Sequence, residues 1–186
     1  MRLVLLAAAA ILAAGPALAQ TPAAPAPATA PAAAPKAADP ADVASVESTL
    51  AALYDVISGP PGPRDWDRFN SLFLPGATMG AAGRTPEGKF RTRLMATTDY
   101  VARNGPHFAE NPFFERELGH KIERFGPIAS VLSAYESRRS PDAAPFDRGV
   151  NALHMVHDGE RWWIVSIYWA SETPENPIPA DLIAAR

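Results

Sequence analysis

FDRGVNALHMVHDGERWWIVSIYWASE, Phe146 to Glu172, decides the fold. It reads as two long strands joined at Asp158-Gly159, because Asp-Gly tolerates the positive φ angles of a type I′ turn, whose twist matches the strands it joins. A two-residue turn there sets Met155 opposite Trp162, His154 opposite Trp163, Ala152 opposite Val165 and Arg148 opposite Trp169. Strand side chains alternate between faces, so two sets follow. Arg148, Val150, Ala152, His154, Trp163, Val165, Ile167 and Trp169 share one face. Gly149, Asn151, Leu153, Met155, Trp162, Ile164, Ser166 and Tyr168 share the other. Both sets are largely apolar. A hairpin buried on both sides lies between two layers, which predicts a fold class and a dimer but no reaction.

Working upstream, Ile128 to Arg138 places Ala129, Val131, Ser133 and Tyr135 on one face, and Glu115 to Phe125 alternates Leu118, His120 and Ile122 against Glu117, Lys121 and Glu123. Thr97 to Asn104 reads as a helix stopped by Gly105-Pro106. Ala77 to Ala81 and Lys89 to Met95 read as short strands around the turn-rich GRTPEG. Arg64 to about Phe73 is a short helix bearing Trp66, Phe69 and Phe73. Ahead of it, Asp39-Pro40 caps a helix whose stripe is Val43, Val46, Leu50, Leu53 and Ile57.

The two ends of the chain are accessory. Met1-Arg2, the apolar run Leu3 to Ala14, the break at Gly15-Pro16 and Ala17-Leu18-Ala19 read as a cleavable secretory signal over residues 1–19, too short to stay in a membrane as a span of about 20 apolar residues would. Residues 20–39 are an Ala/Pro tether with little to bury. The domain is expected over 40–172, and a proline-punctuated tail over 173–186. The protein is therefore expected to be periplasmic or secreted, with no stable membrane insertion. It has no cysteine, so an exported chain here forgoes disulfides. The 186 residues carry 17 Lys and Arg against 20 Asp and Glu, net −3. Loss of Arg2 with the signal makes this 16 against 20, or −4. With no basic run longer than Arg138-Arg139, nucleic acid is not expected as a partner.

The order helix, helix, short strands, helix, then four long antiparallel strands resembles the nuclear transport factor 2-like superfamily, in particular its SnoaL-like branch. The segments that carry the resemblance are DWDRFNSLFLPGATM, ERFGPIASVLSAYESR and GERWWIVSIYWAS. The resemblance implies an α+β cone, in which a curved antiparallel or mixed sheet wraps round N-terminal helices. It also implies a pocket on the concave side and, often, dimers on the convex side. The superfamily holds isomerases, dehydratases, cyclases, epoxide hydrolases and binders without activity, so it implies no single reaction. Many members place Asp just after the second helix, where this chain has Gly76.

Candidate chemistry rests on side-chain parity. His154 and His157 have the H-x-x-H spacing of a metal pair, but a separation of three on a strand puts them on opposite faces, so no metal site is expected. No phosphate-cradling glycine loop and no G-x-S-x-G occur, and nothing calls for a cofactor. His120 and His154 sit on apolar strand faces. One reading makes them core histidines bonded to hydroxyls or carbonyls; the sharper reading turns both into one cavity with Tyr135, Trp163 and Trp169. Arg148 opposite Trp169 is then a cation–π pair at the mouth or the receiver of a ligand carboxylate. The leading expectation is an exported domain binding a small apolar or aromatic ligand. The alternative is a lyase or isomerase using His120 or His154 as general acid or base, with Asp99 as the carboxylate partner. A homodimer is expected through the face bearing Leu153, Met155, Trp162, Ile164 and Tyr168, unless the tail from Thr173 folds over it.

Overall fold

The computed structural model describes residues 37–85 and 87–184. The expected signal peptide and nearly all of the Ala/Pro tether lie outside these residues. Helix α1 (Pro40–Val43) starts where Asp39 accepts a hydrogen bond from the Ala41 amide at 2.9 Å. The single helix expected from Asp39 onward is divided, because Ser45 is extended and caps α2 (Val46–Ile57) through reciprocal 3.0 Å bonds with Ser48. Serines in this arrangement offer the backbone an alternative to an unbroken helix. The stripe Val43, Val46, Leu50, Leu53 and Ile57 is buried all the same.

Helix α3 (Trp66–Ser71) leads into β1 (Phe73–Arg84) and β2 (Phe90–Ala96). Helix α4 (Thr97–Glu110) runs through the Gly105-Pro106 that was expected to stop it. The gain is Phe108, whose ring stacks on Phe113 at 4.8 Å and on Trp66 at 6.1 Å. Burying an aromatic ring recovers a large part of the ~3 kcal/mol that an interior proline costs. Then come β3 (Phe114–Phe125), β4 (Ile128–Arg138), β5 (Asp147–His157), β6 (Trp162–Ser171) and the short α5 (Ala180–Ala184).

The six strands form one curved sheet in the order β2-β1-β6-β5-β4-β3, with β1 and β6 parallel and every other pair antiparallel. The fold is therefore the α+β cone that the resemblance implied. Register shifts at Phe73/Thr78, Glu117/Gly119 and His154/Met155 bend it, as extra residues in one strand of a pair do.

Two of these details correct the reading of the hairpin. Its turn has four residues, not two: the Asp158 amide bonds the Arg161 carbonyl, while Asp158 Oδ1 accepts from the amides of Glu160 and Arg161 at 2.9 Å. His157 consequently pairs with Trp162, a shift of two that keeps the faces as expected near the turn. Farther along, Met155 pairs with Ile164 but His154 with Ser166, so Val165 is an extra residue and parity reverses beyond it. Ile167 and Trp169 thereby join Asn151, Leu153, Met155, Trp162 and Ile164 on the concave side.

The face proposed for dimerisation is thus mostly the core. Leu153, Met155, Trp162 and Ile164 are between 0 and 3 % exposed and cluster with Val46 and Leu50 of α2. Part of the convex face is covered by the chain's own tail: Ile178 and Leu182 pack with Leu118 and Ala134 as a second, smaller cluster. Gly119 makes that approach possible, since a Cβ there would lie 2.3 Å from the Leu182 carbonyl oxygen.

Candidate functional site

Side chains on one face of adjacent strands line up in rows, and three concave rows build the site. One runs Ile122, Val131, Leu153, Ile167, Met79, Met95 and is apolar throughout. The next runs His120, Ser133, Asn151, Trp169, Ala81, Arg93. A third runs Glu117, Tyr135, Gly149, Ser171, with Glu115, Ser137 and Asp147 beyond it. Helix α2 lies over the first part of the middle row, where the Tyr54 hydroxyl is 2.6 Å from Ser133 Oγ and receives the Asn151 amide at 3.1 Å. Past Tyr54 the sheet and α4 enclose a cavity of about 650 Å³. Phe69, Met79, Phe108, Phe113, Ile167 and Trp169 form its apolar wall.

One end of the cavity is polar. Ser137 Oγ donates to Glu115 Oε2 at 2.8 Å, and Tyr135 and Ser171 both donate to Asp147 Oδ2, at 3.3 and 3.2 Å. Gly149 is needed here, because a Cβ would stand 2.6 Å from the Tyr135 hydroxyl. Burial pushes the Glu115 carboxyl up to about 7; the Ser137 bond opposes the shift and the negative charge of Asp147 adds to it. Glu115 lines the cavity. Burial also drives the Tyr135 phenol upward, reinforced by Asp147 and Glu115, so it stays a neutral donor.

Of the residues singled out in the sequence, Tyr135 and Trp169 line this cavity. His120 is on the concave side but beyond Tyr54. Its Nδ1 is 3.1 Å from Glu117 Oε2, in a geometry that falls short of a hydrogen bond. His154 is exposed on the convex face, 3.1 Å from Ser166 Oγ, so the shared cavity for His120, Tyr135 and His154 is not formed. Arg148 pairs with Glu172 at 2.9 Å across the sheet from Trp169. Trp163 donates to Asp158 at 2.6 Å under the Arg161 guanidinium, also on the convex side. Asp99 accepts from the Ala96 amide at 3.3 Å and serves the start of α4. None of these five lines the cavity, and the Val165 bulge accounts for His154 and the lost Arg148–Trp169 pair.

Sequence reasoning missed Glu115, Asp147 and Asn151. Glu115 stands in the charged run Glu115-Arg116-Glu117, which looks like a wetted strand face, and Asp147 looks like the end of a loop. The available signal was pairing: a strand residue opposite Ser137 shares the Tyr135 side.

No family model matches the sequence and no curated protein matches it. Solved structures do match in fold. A protein of unknown function with a cystatin-like fold from Nostoc punctiforme is 7 % identical, with 70 % of this chain and 95 % of that one covered and a TM-score of 0.52. A protein of unknown function from Mycobacterium tuberculosis is 12 % identical over 75 % of this chain and 80 % of that one, TM-score 0.52. An NTF2-like protein of unknown function from Methylobacillus flagellatus is 13 % identical over 69 % and 95 %, TM-score 0.44. The chain therefore shares its fold with solved structures, among them one described as cystatin-like.

Proposed function

We propose that the domain binds a small molecule with an apolar or aromatic body inside the cone. The observation that carries this reading is the cavity itself. Its volume of about 650 Å³ falls inside the roughly 300–1,000 Å³ of small-molecule sites, and an apolar wall with a few convergent polar groups is their usual lining. A purely structural domain would fill that space with its own side chains. The neutral fluorophore N-phenylnaphthylamine tests the reading on the full chain. Saturable binding is expected, abolished by Ala81→Trp, which fills the space between Trp169 and Arg93. Binding that never saturates, or that ignores Ala81→Trp, would overturn it.

A second reading, turnover by proton transfer of the lyase or isomerase kind, is favoured by Glu115 in place of His120 or His154. A carboxyl near 7 holds both protonation states at neutral pH, as a general acid or base must. Direct NMR titration of the Glu115 carboxyl tests it. A midpoint near the usual 4.5 would remove Glu115 from that role.

Export and self-association belong to the same proposal. The signal-like residues 1–19 support a mature chain starting near Gln20, to be checked by N-terminal sequencing of the periplasmic fraction; an intact Met1 in the cytoplasm would refute it. Self-association, if it uses the convex face, has Leu94, Phe90 and Leu132 to work with, which are 64, 81 and 47 % exposed. Sedimentation at micromolar concentration decides between monomer and dimer.

A further inference from the structure

Three arginines at the cavity's mouth have no partner among the described residues. Parity along β2 puts Arg91, Arg93 and Met95 on the concave side, opposite Gly83, Ala81 and Met79. Gly83 and Ala81 bring almost no bulk, so the two guanidinium groups lie over open space. Arg103 comes from α4 to the same cavity. None of the three makes an ion pair, a side-chain hydrogen bond or a ring contact among the described residues. Arginines elsewhere are used: Arg68 bridges Asp42 and Asp55, Arg64 bonds four backbone carbonyls, and Arg84 and Arg139 lie over Phe90 and Phe146.

The charge balance of the cavity runs against that of the chain. Five arginines line it against two carboxylates, Glu115 and Asp147, which is 5 − 2 = +3 in a protein whose net charge is −3. Both carboxylates sit at the polar end and are occupied by Ser137, Tyr135 and Ser171. Arg91 and Arg93, two apart on one strand face, stand about 7 Å from each other with no acid pairing them. Like charges so placed repel unless an anion joins them, and a cleft with low-dielectric walls concentrates their field.

We propose that the ligand of this cavity carries an anionic group, a carboxylate, sulfonate or phosphate, held at the mouth by Arg91, Arg93 and Arg103 while its apolar body lies inward against Trp169 and Phe108. The inference rests on the binding reading above and adds the ligand's charge to it. Guanidinium groups suit this role because their planar fork meets two anion oxygens at once.

The test uses two fluorophores with one aromatic body on the full chain: neutral N-phenylnaphthylamine and its sulfonated analogue, anilinonaphthalene sulfonate. The sulfonate is expected to bind about tenfold or more tightly, the factor a charge-assisted hydrogen bond carries. The triple variant Arg91→Gln, Arg93→Gln, Arg103→Gln should remove that preference and leave the neutral probe within about twofold. Added salt should weaken only the sulfonate. Ala81→Trp should exclude both probes, which keeps adsorption to the convex face from passing as a result. Equal binding of the two probes in the parent would overturn the anion and leave the binding reading standing. A preference that survives the triple variant would overturn the assignment to these arginines, and failure of both probes would end both readings.

Discussion

The middle of the sheet and its β2 edge are made by different rules. Along β5 every second residue from Gly149 to Met155 is buried, and the concave side of β6 is equally enclosed at Trp162 and Ile164; along β2 not one residue is buried. The middle strands have neighbours on both sides and α2 above them. The edge strand has β1 on one side, a cavity on its inner face and solvent on its outer face. Stability is therefore concentrated in β4, β5, β6 and α2, while the edge can carry charge without weakening the fold. Substitutions in the two regions should separate stability from binding.

The largest expected effect is at Ile164, which is fully buried. Ile164→Glu puts a carboxylate where nothing can pair it, at several kcal/mol, against a total stability of about 5–15 kcal/mol. Loss of the cooperative urea transition is expected. A fold that tolerated the change would mean that the middle of the sheet is not the core.

Next in size is a pH effect from the cavity's polar end. Folding raises the Glu115 carboxyl from the usual 4.5 to about 7. The folded state therefore holds a proton that the unfolded state has released between those values. Stability from this group is complete below about pH 4.5 and falls as pH rises to 7, by on the order of 3 kcal/mol. Glu115→Gln cannot titrate and should flatten that limb in urea titrations at pH 5 and 7.5. An unchanged slope would show the carboxyl to be better solvated than its surroundings imply.

A smaller effect is expected where the tail meets the convex face. Gly119→Ala drives a methyl group into the Leu182 carbonyl, so either the tail detaches or the strand shifts, at about 1–3 kcal/mol. Hydrogen exchange should show the loss confined to α5 and its neighbours on β3. A fall in protection across α2 as well would mean that the two clusters fold as one.

The same contrast explains what the sequence made legible. Regular alternation and capping residues located most of the elements, and the α+β cone followed from their order, because those signals are local. The Tyr135 side of β4 was correct for the same reason: β4 has no extra residue of its own. His154 went to the wrong face because Val165 is an extra residue, and nothing in GERWWIVSIYWAS distinguishes a regular strand from one with a bulge. Leu118 was turned outward by the bulge in β3, leaving His120 and Ile122 concave as parity with Val131 and Ser133 requires. Glu115 and Asp147 escaped notice because burial of a charged residue is decided by what the fold packs around it and not by its neighbours in sequence. The concave placement of Arg91 and Arg93 is likewise set by strand pairing and not by their neighbours in sequence.

The smallest expected change sharpens the comparison most. Phe90 and Leu94 share the outer face of β2, 81 and 64 % exposed, and the Arg84 guanidinium lies over the Phe90 ring at 4.0 Å. Leu94 ends a convex row that runs through Gly80, Tyr168, Ala152 and Leu132, so it is the natural edge of any surface a second copy would cover. If that face meets only water, Phe90→Ser with Leu94→Ser removes little buried area and should move stability by no more than about 0.5 kcal/mol, the usual range for surface substitutions. If another copy sits there, the same pair of changes removes the outer end of its apolar contact. The parent's melting temperature would then rise with protein concentration, as dimerisation requires, and the double variant would lose that dependence. Melting curves at two concentrations, for parent and variant, decide which. A concentration-independent parent with an unperturbed variant leaves the β2 edge as a free margin of the sheet, and self-association through this row is then ruled out.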